Sequence, residues 1–178
     1  ITFSGDKILG GPQAGLLIGR RDLIDLMKKS PLYRVLRLDK MTIAALEATL
    51  DAYVKGTQRT EIPVMRMVFA AREEVAERAT RVAERLGTAL GHRCDVATVE
   101  GVSRVGGGAA PTQDLPTMLI RLKPAPGTER SVTLWEQALR GQANPVIGRV
   151  QDEALVLDMR TVEPGEEDDL VASVAGSL

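Results

Sequence analysis

The sequence predicts an α+β chain: a small, mostly antiparallel sheet with helices on one face, preceded by the tail of a larger domain. Three observations carry this. Apolar residues fall at helical steps over 72–90, at Val75, Ala79, Val82, Leu86 and Leu90. After Gly91 the texture changes to short alternating runs, 95–100 and 118–122, followed by a helical stretch and two further strand candidates. The opening part does not share this pattern; a strand runs straight into a glycine-rich turn and then into helices.

Taken in order, Ile1, Thr2 and Phe3 suit a strand, and Gly10-Gly11-Pro12 a turn. Leu16-Leu17-Ile18 has the look of a short buried strand. Asp22 is placed to cap a helix carrying Leu23, Ile24, Leu26 and Met27, and Pro31 restarts the chain. Ile43, Leu46, Leu50, Tyr53 and Val54 follow helical spacing, with Thr42 as the expected cap and Gly56 as the stop. Residues 57–63 read as a connector, Pro63 suiting a first helical turn. On the helix 72–90, Glu74 with Arg78 and Glu77 with Arg81 have i,i+4 spacing, so that face is expected to be solvated. Residues 133–139 form a short helix ended by Gly141, and 166–175 a last one with acids in its first turn. Pro145-Val146-Ile147 and Ala154-Leu155-Val156-Leu157 bracket Asp152-Glu153 as a hairpin tip. The expected organisation is residues 1–58 as the C-terminal tail of a larger domain and residues 59–178 as a small α+β domain.

Composition removes several functions. Of 178 residues, 44% are hydrophobic and 26% charged, enough apolar sequence to order a globular chain. With 23 Lys and Arg against 24 Asp and Glu, the balance speaks against a globally basic nucleic-acid binder and leaves room for a local basic patch. Aromatic residues are 3%, too few for a base-stacking platform. No apolar run is long enough to span a bilayer. Cys94 is the only cysteine, which excludes an internal disulfide and makes a cytoplasmic address the expectation. His92 and Cys94 alone assemble no metal site, and none is expected. The start, Ile1-Thr2-Phe3-Ser4-Gly5, reads as the inside of a strand, so the chain is expected to be the C-terminal fragment of a longer protein.

The most informative stretch is Ser4-Gly5-Asp6-Lys7-Ile8-Leu9-Gly10-Gly11-Pro12-Gln13-Ala14-Gly15. A lysine between a strand and a glycine-rich turn has a fixed position and little competing bulk. Held in a partly desolvated pocket, such an amine becomes a nucleophile or a Schiff-base former; otherwise it is a surface lysine at a tight turn. Arg34 and Arg37 stand three apart with Lys40 three further on, and on one helix they would form a positive patch suited to an oxyanion. The alternative is a pair of exposed helix arginines. Gly106-Gly107-Gly108 suits an anion nest or a flexible turn, and Arg149 a carboxyl or phosphate contact or a structural ion pair.

These residues carry a resemblance. The Ser4–Gly15 stretch resembles that of the bacterial L-seryl-tRNA(Sec) selenium transferases. So do Pro31-Leu32-Tyr33-Arg34-Val35-Leu36-Arg37-Leu38-Asp39-Lys40, Val105-Gly106-Gly107-Gly108, Pro145-Val146-Ile147-Gly148-Arg149 and Leu157-Asp158-Met159-Arg160. Val35 departs from the alanine common there. The lysine and Gly-Pro turn are similar, more distantly, to those of cysteine desulfurases and other fold type I pyridoxal phosphate enzymes.

The resemblance implies that Lys7 carries pyridoxal 5′-phosphate as a Schiff base and moves the α proton of seryl-tRNA(Sec). Elimination of water then gives an aminoacrylyl intermediate, to which selenium from selenophosphate adds, yielding selenocysteinyl-tRNA(Sec). It implies a cofactor-phosphate contact for Ser4, an orienting or tuning role for Asp6, and anion binding, with selenophosphate as ligand, for Arg34 and Arg37. It further implies that tRNA is bound mainly by a missing N-terminal portion, that the full-length protein is a homo-oligomer, and that this fragment alone is inactive. The rival expectations are a pyridoxal-phosphate lyase or desulfurase acting on a small amino acid or amino sugar, and a non-catalytic dimerisation module.

Overall fold

A computed structural model describes residues 1–106, 109–110, 112–128 and 131–178. The chain divides into two compact units. One takes in Ile1–Phe69, the other Ala70–Arg104 and Thr112–Leu178.

In the first unit, strands β1 (Thr2–Ser4) and β2 (Gly15–Leu17) pair antiparallel, Thr2 opposite Leu17 and Ser4 opposite Gly15. The terminal ammonium continues the ladder by donating to the Ile18 carbonyl at 2.8 Å. Helices α1 (Arg21–Lys28) and α2 (Pro31–Leu36) follow. Asp22 does not cap α1. Its carboxylate is taken by the Arg20 guanidinium, and it lies inside the first turn. Ser30 caps α2, accepting from the Leu32 amide, with Pro31 at the first helical position.

The long helix α3 (Lys40–Lys55) begins earlier than expected. Asp39, extended at φ −71°, ψ 167°, accepts from the amides of Met41 and Thr42, so Asp39 and not Thr42 is the cap. The Thr42 hydroxyl donates to the same carboxylate at 2.7 Å, and these bonds hold Asp39 below the ordinary carboxylate range. Gly56 ends the helix in the left-handed region, as its position suggested.

The expected connector contains a short helix, α4 (Gln58–Glu61), and Pro63 opens α5 (Pro63–Phe69). Both helices belong to the first unit rather than to the second domain expected from residue 59. The reason is local packing. Ile62 is buried at 5% exposure, and its side chain and that of Val64 stand against Gly10. Ala14, Ala52 and Ile62 are this unit's buried apolar side chains among the described residues. The strand expected at Leu16-Leu17-Ile18 forms one residue earlier, over Gly15–Leu17, and is not buried: Leu17 is 50% exposed and Ile18, just beyond it, 60%. Leu23, Leu26 and Met27 of α1 and Leu32, Val35 and Leu36 of α2 are also exposed, Leu36 at 75%.

The second unit is better filled. Helix α6 (Arg72–Leu90) buries Val75, Ala79, Val82, Leu86 and Leu90, the predicted stripe. Strands β3 (Cys94–Arg104) and β4 (Asp114–Pro124) form a long hairpin pairing. After α7 (Val132–Arg140) come β5 (Arg149–Gln151), β6 (Ala154–Asp158) and α8 (Glu167–Ser177). The sheet runs β3-β4-β6-β5, antiparallel throughout. Alternation decides its inner face: Ile120 pairs with Leu157 and Leu122 with Leu155, and these four share one core with α6, Trp135 and Leu139 of α7, and Leu170 and Val174 of α8. Asp152 and Glu153 form the hairpin tip, both with positive φ (50° and 57°). Pro145-Val146-Ile147 is not a strand; Val146 instead donates back to the Leu139 carbonyl at 3.1 Å.

Arg78 corrects the solvated-face expectation. It is buried, and its Nε donates to Glu167 at 2.6 Å, with Nη2 on the Val162 carbonyl at 2.8 Å and Nη1 on that of Met159 at 3.3 Å. The α6 face that reads as open is partly covered by α8 and the turn before it. Helical spacing alone does not reveal such cover.

Candidate active site

The chain leaves β1 at Ser4 and turns immediately. The turn is closed by its own backbone: the Gly5 amide donates to the Ala14 carbonyl (2.8 Å), Gly11 to Gly5 (2.8 Å) and Gly10 to Lys7 (2.9 Å). Glycine is required here for two distinct reasons. A side chain on Gly5 would meet the Pro12 carbonyl oxygen at 2.6 Å. Gly10 has φ +75°, and a Cβ there would lie 2.3 Å from Ile62 and 2.7 Å from Val64. The turn therefore sits directly against the segment that opens α5. From α3, the Tyr53 hydroxyl donates to the Leu9 carbonyl at 3.0 Å, and Thr49 stands beside Gly11.

This backbone brings Ser4, Asp6 and Lys7 together. The Lys7 ammonium is 3.7 Å from the Asp6 carboxylate, and its side chain is 51% exposed. The Ser4 hydroxyl donates to the other Asp6 oxygen. That hydrogen bond, ahead of the charge of Lys7, holds Asp6 below the usual carboxylate range. Chemically the cluster is a half-exposed primary amine on a fixed turn, next to a carboxylate kept ionised by a hydroxyl. Ser4 thus meets Asp6.

Arg34 and Arg37 are not on one helix face with Lys40. Helix α2 ends at Leu36, Arg37 is extended (φ −65°, ψ 140°), and Lys40 opens α3 after the Asp39 cap. Both arginines are exposed, and no hydrogen bond or ion pair joins them to Ser4, Asp6 or Lys7 among the described residues.

Arg149 is exposed at the start of β5, and Gly106 has φ 95°, while Gly107 and Gly108 lie outside the described residues. No cluster that would hold a metal ion occurs among the described residues. Cys94 is buried, and burial pushes its thiol up to about 11. The Leu157-Asp158-Met159-Arg160 run holds the second unit together: Asp158 accepts from Ser103 (2.6 Å) and Thr117 (3.0 Å), and Arg160 donates to the carbonyls of Ala70 (2.8 Å) and Pro116 (2.7 Å). A cleft of about 460 Å³ beside α8, lined by Val146, Leu157 and Leu170 with Glu166 and Asp169, contains none of the predicted site residues.

Sequence reasoning missed Tyr53, Thr49, Ile62 and Val64 as supports of the lysine turn. The glycines signalled that something approaches closely, but not which residues. Tyr53 sits at an apolar position of a helical stripe, where its hydroxyl gives no pattern.

An α+β chain with an amine-bearing glycine turn is thus in place, and comparison with known proteins gives it a family. Residues 1–163 match the family model for L-seryl-tRNA selenium transferase. The chain is 51% identical over 167 residues to the L-seryl-tRNA(Sec) selenium transferase of Nitratidesulfovibrio vulgaris, covering 93% of this chain and 35% of that protein. It is 47% identical to that of Desulfomicrobium baculatum (100% and 37% covered) and 46% identical to that of Geotalea daltonii (99% and 38%). The chain belongs to the L-seryl-tRNA selenium transferase family. It spans a little over a third of the length of these relatives, 35–38%.

Proposed function

We propose that this chain is the lysine-bearing portion of a fold type I pyridoxal-phosphate enzyme that converts seryl-tRNA(Sec) to selenocysteinyl-tRNA(Sec). The observation that carries the reading is the Ser4–Asp6–Lys7 cluster on its glycine turn, in a chain of this family. The residues fit the coenzyme. A half-exposed amine faces no side chain from Gly5 or Gly10, and the backbone around it is fixed. When bound, pyridoxal phosphate supplies an electron-accepting ring conjugated to the substrate nitrogen.

The chain's own residues do the rest. Lys7 would hold the coenzyme through Nζ, and its amine, when free, would move the proton at the seryl Cα. Asp6 holds the ammonium form of Lys7 within reach, and Ser4 keeps Asp6 ionised. Ser4 serves the coenzyme phosphate only by turning away from Asp6. Arg34 and Arg37, exposed and unpaired among the described residues, bind the selenophosphate oxyanion. The net reaction exchanges the seryl β-hydroxyl for selenium and releases phosphate, the water lost in the elimination being balanced by the water that cleaves the phosphorus–selenium bond. Seryl-tRNA binding and most contacts to the coenzyme ring and phosphate fall to the remainder of a longer, cytoplasmic, homo-oligomeric protein, so this portion alone is inactive.

The test uses the full-length protein loaded with the coenzyme. Borohydride should trap a pyridoxyl group on Lys7, and Lys7→Ala should abolish both trapping and selenocysteinyl-tRNA formation. Retained product formation in Lys7→Ala refutes the reading.

A further inference from the structure

Among the described residues, the turn that carries Lys7 has one anchor from outside itself that is a hydrogen bond from a side chain. The Tyr53 hydroxyl, on α3 and 44 residues distant in sequence, donates to the Leu9 carbonyl at 3.0 Å. The Lys7 carbonyl, two residues earlier, accepts from Gly10. Residues 7–10 therefore form one closed turn, pinned at its far side by a phenol. Tyr53 is partly buried, and burial raises its pKa above 10.0, so the hydroxyl keeps its proton at any working pH. The other outside supports, Ile62 and Val64 against Gly10, are apolar contacts and do not fix direction.

We infer that Tyr53 is a positioning residue: its hydrogen bond to Leu9 sets the orientation in which the turn presents the Lys7 amine. The inference rests on the functional reading above and adds to it a residue that touches neither substrate nor coenzyme. Without the hydroxyl, the turn keeps its internal bonds and its apolar seat but loses the directional contact. Proton transfer at the seryl Cα depends on placement of the amine to a fraction of an ångström, whereas binding of a large substrate made elsewhere does not.

The experiment compares the full-length protein with Tyr53→Phe, which keeps the ring and removes only the hydroxyl. Amide hydrogen exchange at Gly10 and Gly11 should accelerate roughly three- to tenfold, the factor expected for one lost hydrogen bond, while exchange within α6 is unchanged. The kcat should fall about tenfold or more with KM for seryl-tRNA(Sec) nearly constant, a split that general destabilisation does not produce. Unchanged exchange at Gly10 and Gly11 overturns the anchor. Faster exchange with unchanged kcat overturns the positioning role. Absence of borohydride-trapped coenzyme on Lys7 in the unsubstituted protein sinks the functional reading instead, and the exchange measurement still decides the anchor.

Discussion

Replacing Arg78 by Met tests the most consequential correction to the sequence reading. Arg78 is 8% exposed and donates to Glu167, Val162 and Met159. Methionine fills much of the volume of the arginine stem, so little of the loss is cavity. What is lost is an ion pair at 2.6 Å and two bonds to carbonyls, of which the Met159 contact at 3.3 Å is the weaker. Each buried carbonyl left unpaired costs about 1–3 kcal/mol. Breaking a buried ion pair from one side costs about 3–5 kcal/mol. The Glu167 side chain is 19% exposed and regains some water, which pulls the total toward the lower end. The Met159 carbonyl still accepts from the Val162 amide, so one carbonyl is left unpaired, and the expected loss is about 4–5 kcal/mol. Trp135 is the only tryptophan and is 1% exposed in the same core, so its fluorescence during urea unfolding reports this unit. Adding Glu167→Met to Arg78→Met should recover part of the loss, because no unpaired carboxylate then remains. A loss below about 0.5 kcal/mol for Arg78→Met would mean that α6 carries a solvated charged face after all.

Three further outcomes are expected. Glu153→Gly should stabilise the β5–β6 hairpin by about 0.5–1 kcal/mol in the same urea assay, since Glu153 has φ 57° and glycine enters that region freely. Cys94 should resist alkylation at neutral pH in the folded chain and react once urea unfolds it, because burial holds the thiol protonated. Its pKa is raised on folding from 9.0 to about 11, so the contribution to stability is complete below pH 9.0 and is lost as pH climbs through that interval; a Cys94→Ala variant should lack this alkaline loss. Arg34→Ala and Arg37→Ala in the full-length protein should each reduce selenium transfer tenfold or more, on the order of one charge-assisted bond to an oxyanion, with borohydride trapping at Lys7 undiminished. Loss of trapping in a folded variant would remove the anion-site assignment.

Elements defined by repetition were legible in the sequence. The stripe from Val75 to Leu90 produced α6 with the expected bounds, and the acidic first turn of α8 and the Asp152-Glu153 tip were found where composition placed them. Elements decided by competition between neighbours were not. Asp39 outbid Thr42 for the α3 cap because its backbone is extended and its carboxylate reaches two amides. Asp22 was diverted by Arg20. Arg34 and Arg37 fail to share a helix because the chain breaks at Arg37 before the Asp39 cap, a break that their spacing conceals. The lysine turn was legible as a place, since strand, lysine and glycines are local. The hydroxyl that pins it comes from a residue far along the chain and was not.

The two units place chemistry and stability in different parts of the molecule. The second unit has a continuous core from Val75 to Val174, and its polar clusters, Arg78 with Glu167 and Asp158 with Ser103 and Thr117, are turned inward to brace it. The first unit buries few apolar side chains, among the described residues Ala14, Ala52 and Ile62, yet holds Ser4, Asp6 and Lys7. The contacts that this chain gives the lysine turn are directional and local: the three backbone bonds that close it, the close approach at Gly10, and the Tyr53 hydroxyl. Substitutions in the second core should therefore move the Trp135 unfolding midpoint while leaving exchange at the Gly10 and Gly11 amides alone, and Tyr53→Phe should do the reverse.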